Sequence, residues 1–211
     1  MHYCSYRPQD DRFSRHEMED KKVIATAELM HNLALINESV GNQWLPSPDK
    51  QEHWVRKLFE KAVYGFYSLH LTSDWAVSAS KKLNWQIEGM TGNISYLLPG
   101  MELDILLENN PAQRRLVIDT KFTSITRSAR FGGETYKSHY IYQLFTYLRS
   151  QEQISDSLSI NAEGMLLHPS MGVTHRESVL IQGHRMKFYT VDLSQPSSII
   201  REELLNLVCQ A

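Results

Sequence analysis

Three side chains carry the strongest chemical signal in this chain. Asp104 lies in MELDILL (Met101–Leu107), and Asp119 and Lys121 lie in RRLVIDTKF (Arg114–Phe122). Residues two apart on a strand share a face, so Asp119 and Lys121 point one way and Ile118, Thr120 and Phe122 the other. The run Leu116-Val117-Ile118 is continuously apolar, as in a strand buried on both faces. A carboxylate at the end of such a run is costly unless paired or bound to a cation. If the two segments pair as a hairpin, Asp104 approaches Asp119. Two carboxylates beside a backbone carbonyl make a hard-oxygen pocket suited to Mg²⁺, with Mn²⁺ as a second acceptable ion. Lys121 next to that pocket could orient a water and offset charge developing on a phosphate. The chemistry indicated is metal-dependent phosphodiester hydrolysis. The acidic-x-Lys triplet alone is weak evidence: Glu19-Asp20-Lys21 and Asp20-Lys21-Lys22 share it in a polar run that reads as a solvated charge cluster.

The flanking sequence indicates the elements that would hold these groups. In the first segment, alternation places Leu103, Ile105 and Leu107 on one face and Glu102, Asp104, Leu106 and Glu108 on the other. Glu108-Asn109-Asn110-Pro111 reads as the turn. Ahead of it, Ser47-Pro48-Asp49 starts a helix running to about His70, with Ser47 as N-cap. Its apolar stripe is Trp54, Leu58, Ala62, Phe66 and Leu69. Glu60 lies off that stripe with Tyr64 and Tyr67, either as a solvated residue or as a third acid facing the site. Trp75–Glu88 reads as extended, and Gly89–Gly92 as a turn or loop. After Phe122, residues 123–137 form a polar loop carrying Arg127, Arg130 and Lys137, either a phosphate grip or a mobile connection. Ser138 is placed to cap a helix from His139 to about Gln151, with Ile141, Leu144, Phe145 and Leu148 buried. Tyr140, Gln143 and Tyr147 form a second stripe on it, whose polar groups need partners. Strands over Glu163–His168 and Arg185–Asp192 and a closing helix over Ile199–Val208 complete the pattern. The order is that of an α/β domain with a mixed central sheet flanked by helices.

Composition sets bounds. With 42% hydrophobic and 22% charged residues, the chain of 211 residues has the make-up of a soluble globular protein. A net charge of −2 gives no global basic signature, so a nucleic-acid partner must meet a local patch. The two cysteines, Cys4 and Cys209, lie at opposite ends and imply neither a zinc site nor a disulfide framework. The nine histidines are scattered singly and read as structural or surface residues. No long apolar run or signal-peptide pattern appears, and no G-x-x-x-x-G-K-[ST] loop, so the expectation is a cytoplasmic protein with no membrane partner that is not itself a P-loop NTPase. Residues 1–47 read as a polar segment plus a helix from Val23 to Val40 packed on the core, and 48–211 as the main domain.

Four ordered segments, LFEKAVYGFY (Leu58–Tyr67), MELDILLE (Met101–Glu108), LVIDTKF (Leu116–Phe122) and YQLFTYLRS (Tyr142–Ser150), are similar to the McrC family. That family is the nuclease subunit of restriction systems that cut DNA bearing 5-methylcytosine, within the PD-(D/E)xK superfamily. Gln143-x-x-x-Tyr147 resembles the motif of its RecB-like branch. The resemblance implies a restriction-endonuclease-like core in which Asp104 and Asp119 hold Mg²⁺ and Lys121 is the catalytic lysine. It makes Glu60 the acidic residue of the first helix, and Gln143 and Tyr147 braces for the site or the DNA backbone. It implies double-stranded, methylated DNA as substrate and an McrB-like AAA+ GTPase as partner, with GTP used only through that partner. McrC proteins usually carry a further motor-docking domain before the nuclease, whereas about fifty residues precede the Glu60 helix here, so the resemblance is to a minimal or truncated member. Two other readings are a stand-alone nuclease of repair or transposition, and a non-catalytic subunit that assembles or activates a GTPase.

Overall fold

A computed structural model of the chain describes residues 48–130 and 132–209. The segment expected over 1–47, with its helix and the Ser47 cap, lies outside the described residues. Pro48–His70 forms α1, Trp75–Leu83 β1, Ile94–Leu97 the short α2, Met101–Asn109 β2 and Arg114–Thr120 β3. Thr126–Ser128 and Glu134–Tyr136 follow as β4 and β5, then Ser138–Ser150 as α3 and Ser157–Ile160 as the short α4. Glu163–Pro169, Arg176–Ile181 and His184–Val191 are β6, β7 and β8, and Ser197–Cys209 is α5.

Six strands form one mixed sheet in the order β1-β2-β3-β6-β8-β7. The β1-β2, β2-β3 and β7-β8 pairs are antiparallel, and β3-β6 and β6-β8 are parallel. A parallel neighbour needs a crossover, and α3 supplies it between β3 and β6. Helices α1 and α5 cover one face through Phe59, Val63, Ile105, Ile118, Leu167 and Leu204. Helix α3 covers the other through Leu144 and Leu148 against Val117, Leu166 and Phe188. The molecule is thus a mixed α/β sheet sandwiched by helices, compatible with the expected restriction-endonuclease-like core.

Several local expectations need correction. The buried stripe of α1 is Val55, Phe59, Val63, Phe66 and Tyr67, while Trp54 and Leu69 are each 52% exposed. The face is rotated because the covering surface includes α5: Tyr67 is fully buried and its hydroxyl donates to the Leu204 carbonyl at 3.0 Å. Strand β1 stops at Leu83, and Trp85 and Ile87 lie beyond it in irregular chain. The Trp85 indole donates to the Pro99 carbonyl instead of continuing the alternation. The β2-β3 turn falls at 110–113, later than expected, because Asn109 stays in register and its Oδ1 accepts from Ala112 N–H. Lys137, not Ser138, is the N-cap residue of α3, and no side-chain cap bond forms there. Ile141 and Phe145 are only partly buried, whereas Tyr147 is buried. Strands β4, β5 and β7 and the short helices were not legible; β7 is an edge strand almost wholly exposed, so it carries no apolar alternation.

The largest departure is in β2. Leu103 packs with Leu106 in the α3-side cluster, not with Ile105 and Leu107. The face alternation breaks at Asp104. Opposite it, Ser80 of β1 has φ 48, a left-handed conformation, and the Ser80–Asp104 pair is missing from an otherwise continuous register. The β1-β2 ribbon therefore turns at this point and curls over the C-terminal half of α3. Met101 and Leu103 join Leu144, Tyr147 and Leu148 there.

At the opposite end of the sheet, a buried lysine is paired within a half-buried ion network. Lys187 Nζ lies 2.7 Å from Glu163 Oε2, and Arg114 Nη2 lies 3.2 Å from Glu163 Oε1. Removing one partner there would strand a buried charge.

The α3–sheet contact has a sharp steric requirement at Gly164 on β6. A Cβ at that position would sit 2.9 Å from Leu144 Cγ and Cδ2 and 3.0 Å from Leu148 Cδ1. Gly164→Ala is expected to lower stability by about 1–3 kcal/mol as α3 is pushed off the sheet, read as a lower urea midpoint at unchanged m-value. An unchanged midpoint would show that α3 does not pack this closely.

Candidate active site

The β2-β3 register sets Ile105 opposite Ile118. One further step along both strands sets Asp104 opposite Asp119. Asp119 is 1% exposed, near the end of β3 in the centre of the sheet. Its Oδ2 lies 2.7 Å from Lys121 Nζ, as the shared strand face requires. Its Oδ1 is buried with no hydrogen-bond partner. Asp104 is fixed differently: Thr120 N–H and Oγ1 both donate to its Oδ2, at 2.8 and 2.9 Å. This two-point clamp is made possible where β2 turns, and it leaves Oδ1 outside the clamp.

Burial is the main influence on Asp119. It pushes the carboxyl up to about 7, partly countered by the Lys121 ammonium and reinforced by Asp104 and Glu60. An ionised carboxylate in this place is a group short of positive charge.

Glu60 projects from α1 toward the same region. Its side chain is 13% exposed, and Lys57 Nζ holds it at 2.9 Å. That bond, with Asp104 and Glu102 nearby, keeps the Lys57 ammonium above the ordinary lysine range. Glu60 acts on Asp119 through space but does not join a common ligand set: among the described residues no three His, Cys, Asp or Glu side chains cluster closely enough to hold a metal. The carboxylates that would be left to hold a cation are those of Asp104 and Asp119, opposite each other by the strand register.

Helix α3 closes the site from the other face. Gln143 Nε2 donates to Tyr147 Oη at 2.6 Å, so the two members of the polar stripe satisfy each other. Burial raises the Tyr147 phenol, and Asp119, Lys121 and Asp104 all act on it electrostatically. Tyr140, the third member, presents its ring to Lys121 Nζ at 5.2 Å and to Lys137 Nζ at 5.8 Å. Lys137 also donates to Thr123 Oγ1 at 2.9 Å, so its ammonium is engaged inside the site wall. Arg127 and Arg130 are exposed, in and just after β4 of the small hairpin that occupies most of the expected loop.

Asp104, Asp119, Lys121, Gln143 and Tyr147 are thus brought together, Glu60 and Lys137 border them, and Arg127 and Arg130 stand apart on the hairpin. Sequence reading missed His168. It is wholly buried, with Nδ1 2.7 Å from the Thr123 carbonyl. Its place two residues after Leu166, in the apolar run MLLH, was the signal available.

The donor set fits Mg²⁺. The ion takes oxygen ligands, needs only one or two carboxylates and keeps several waters, and Asp119 Oδ1 is a buried acceptor with nothing donating to it. A pH dependence follows. Below about pH 4 the carboxyl is protonated in both folded and unfolded chains. Between there and about 7 only the folded chain keeps the proton, so stability should fall as pH rises through this window and level off above it. The loss has an upper bound of about 4 kcal/mol. Denaturant unfolding between pH 4.5 and 8 is expected to show a smaller decline for Asp119→Asn than for wild type, and Mg²⁺ should flatten the wild-type curve. Equal slopes for the two proteins would remove Asp119 as a buried, proton-holding acid.

No family model matches the chain. It is 27% identical over 187 residues to a protein described as the type IV methyl-directed restriction enzyme EcoKMcrBC of Escherichia coli strain K12. The match takes in 89% of this chain and 52% of that protein, so the chain spans about half the length of the curated relative it matches. A match covering 89% of the chain must include the four motifs between Leu58 and Ser150. The resemblance to McrBC-type restriction proteins read from those motifs is borne out.

Proposed function

We propose that this chain is the Mg²⁺-dependent DNA-cutting component of a methyl-directed restriction system. The observation that carries the nuclease reading is the buried Asp119 carboxylate, unpartnered at Oδ1, opposite Asp104 and beside Lys121. The likeness to a methyl-directed restriction enzyme supports the system to which it belongs.

In this reading Asp104 and Asp119 would hold the cation. A bound Mg²⁺ supplies Lewis-acid stabilisation of charge on the scissile phosphate and makes water a better nucleophile. The protein's own part is positional. Thr120 fixes Asp104 through one carboxylate oxygen and leaves the other outside the clamp. Lys121 balances Asp119. Held beside the acid pair, the ammonium would offset charge developing on the phosphate in the transition state. Tyr147 and Gln143, bonded to each other, form a rigid wall. Glu60 adds negative charge that acts on Asp119, and Lys57 tempers it.

Binding is the weaker half of the chain's equipment. The net charge is −2, and the exposed cations of the hairpin that follows β3 include Arg127 and Arg130. Affinity for DNA depends on the number of phosphates neutralised, so a few cations give weak, salt-sensitive binding. We assign recognition of the modified base and energy input to an McrB-like GTP-hydrolysing partner.

The decisive measurement is cleavage of methylated and unmethylated plasmid with Mg²⁺, with and without such a partner and GTP. Cleavage is expected only with partner, GTP and methylated sites together. Robust cutting of unmethylated DNA by the chain alone would favour a stand-alone nuclease. Asp104→Ala and Asp119→Ala should each lower cleavage by at least about 10²–10³-fold and weaken Mg²⁺ binding while the fold persists. Lys121→Ala should lower cleavage comparably with metal binding nearly intact, because lysine is not a ligand. Gln143→Ala and Tyr147→Phe should cost less. Metal affinity unaffected by either aspartate substitution would sink the site.

A further inference from the structure

Lys121 lies one residue past the end of β3, where ladder hydrogen bonds no longer fix the chain on both sides. Its backbone N–H still reaches the Leu167 carbonyl at 3.0 Å. Thr120 pairs with Leu167 in the parallel β3-β6 register. One more step sets Lys121 beside His168, on the face covered by α3.

His168 is unusual in its surroundings. It is 0% exposed, and its Nε2 has no hydrogen-bond partner. A carbonyl can only accept, so the 2.7 Å contact with Thr123 O fixes the proton on Nδ1, which donates. This is the neutral tautomer, and burial together with Lys137 and Lys121 holds the ring pKa down at about 4. The ring also stands 5.8 Å from that of Tyr140, which faces Lys121. Thr123 receives a second bond from Lys137 through its hydroxyl. His168, Lys137 and Tyr140 thus converge on the turn that leaves β3. An apolar residue would fill the His168 position without an orphaned buried nitrogen, so the imidazole's distinctive contribution is the bond to Thr123.

We propose that His168 is a positioning residue for Lys121: its Nδ1–H pins the Thr123 carbonyl, so that the exit turn and the Tyr140 ring hold the Lys121 ammonium at Asp119. The catalytic consequence rests on the nuclease reading above, but the positioning itself does not. Without this bond the turn from Phe122 to Ile125 relaxes and Lys121 samples positions away from the acid pair. A misplacement of about 1 Å in a catalytic group can cost on the order of 10²-fold in rate.

The test uses the full chain with three substitutions. His168→Leu removes the donor and keeps the volume. His168→Asn places an amide N–H near the Nδ1 position, and His168→Gln places it nearer Nε2. Reductive ¹³C-dimethylation gives a lysine NMR spectrum in which Lys121 is identified by its loss in Lys121→Arg. The Lys121 resonance is expected to move toward the exposed-lysine position in the Leu and Gln variants and to stay near the wild-type position in Asn. With partner, GTP and methylated DNA, kcat should fall by about 10-fold or more in Leu and Gln. KM and Mn²⁺ affinity should hardly change, and Asn should restore most of the rate. If the Leu variant does not fold, the Asn–Gln comparison carries the same contrast. A Lys121 resonance indifferent to all three substitutions overturns the proposal, as does loss of signal position in Asn and Gln alike. The expected NMR pattern in a wild type that cleaves no DNA under any condition would leave the positioning role standing and reject the nuclease reading.

Discussion

A single carboxylate buried at the centre of the sheet is the constraint around which this molecule is arranged. Asp119 has almost no access to water and has an oxygen that nothing donates to. Such a group is tolerable only if neutral, paired or bound to a cation. Two of these routes act together: burial favours the proton, and Lys121 favours the charge. These opposing influences leave the carboxyl balanced between its neutral and charged forms.

The second acid is handled by the opposite device. Asp104 is less buried, and one of its oxygens is committed to Thr120 through both backbone and side chain. Thr120 points away from Asp119 along β3, yet reaches Asp104 because β2 turns at that residue. The same turn, matched by the left-handed Ser80 on β1, carries Met101 and Leu103 onto α3. One local irregularity thus aims a carboxylate and docks the edge ribbon on the crossover helix. Bulge-like distortions of this kind commonly re-aim side chains beside functional sites.

Helix α3 has two tasks, and its sequence divides accordingly. Leu144 and Leu148 pack against the sheet so closely that only glycine fits opposite them at position 164. Tyr140, Gln143 and Tyr147 face the acid pair and the lysine. Because the helix is the crossover between β3 and β6, the strand bearing Lys121 and the strand bearing His168 are bound to lie side by side.

Much of this was legible in the sequence, and what was legible has a common physical basis. Alternation on β3, with its apolar run Leu116–Ile118, determined that Asp119 and Lys121 share a face and that the acid is buried. Helical spacing on α3 determined that Tyr140, Gln143 and Tyr147 form one stripe. These are consequences of local backbone geometry and need no knowledge of distant contacts. Tertiary structure decided the rest. The turn at Asp104 reversed the expected face of Leu103, because strand alternation holds only while the strand stays regular. The position of α5 decided which side of α1 is buried, sending Tyr67 inward to Leu204 and leaving Trp54 in solvent. The pairing of β3 with β6, strands separated by a whole helix, turned an unremarked histidine into a neighbour of the lysine. Local periodicity could supply the chemical groups, but only the assembled sheet could say which of them meet.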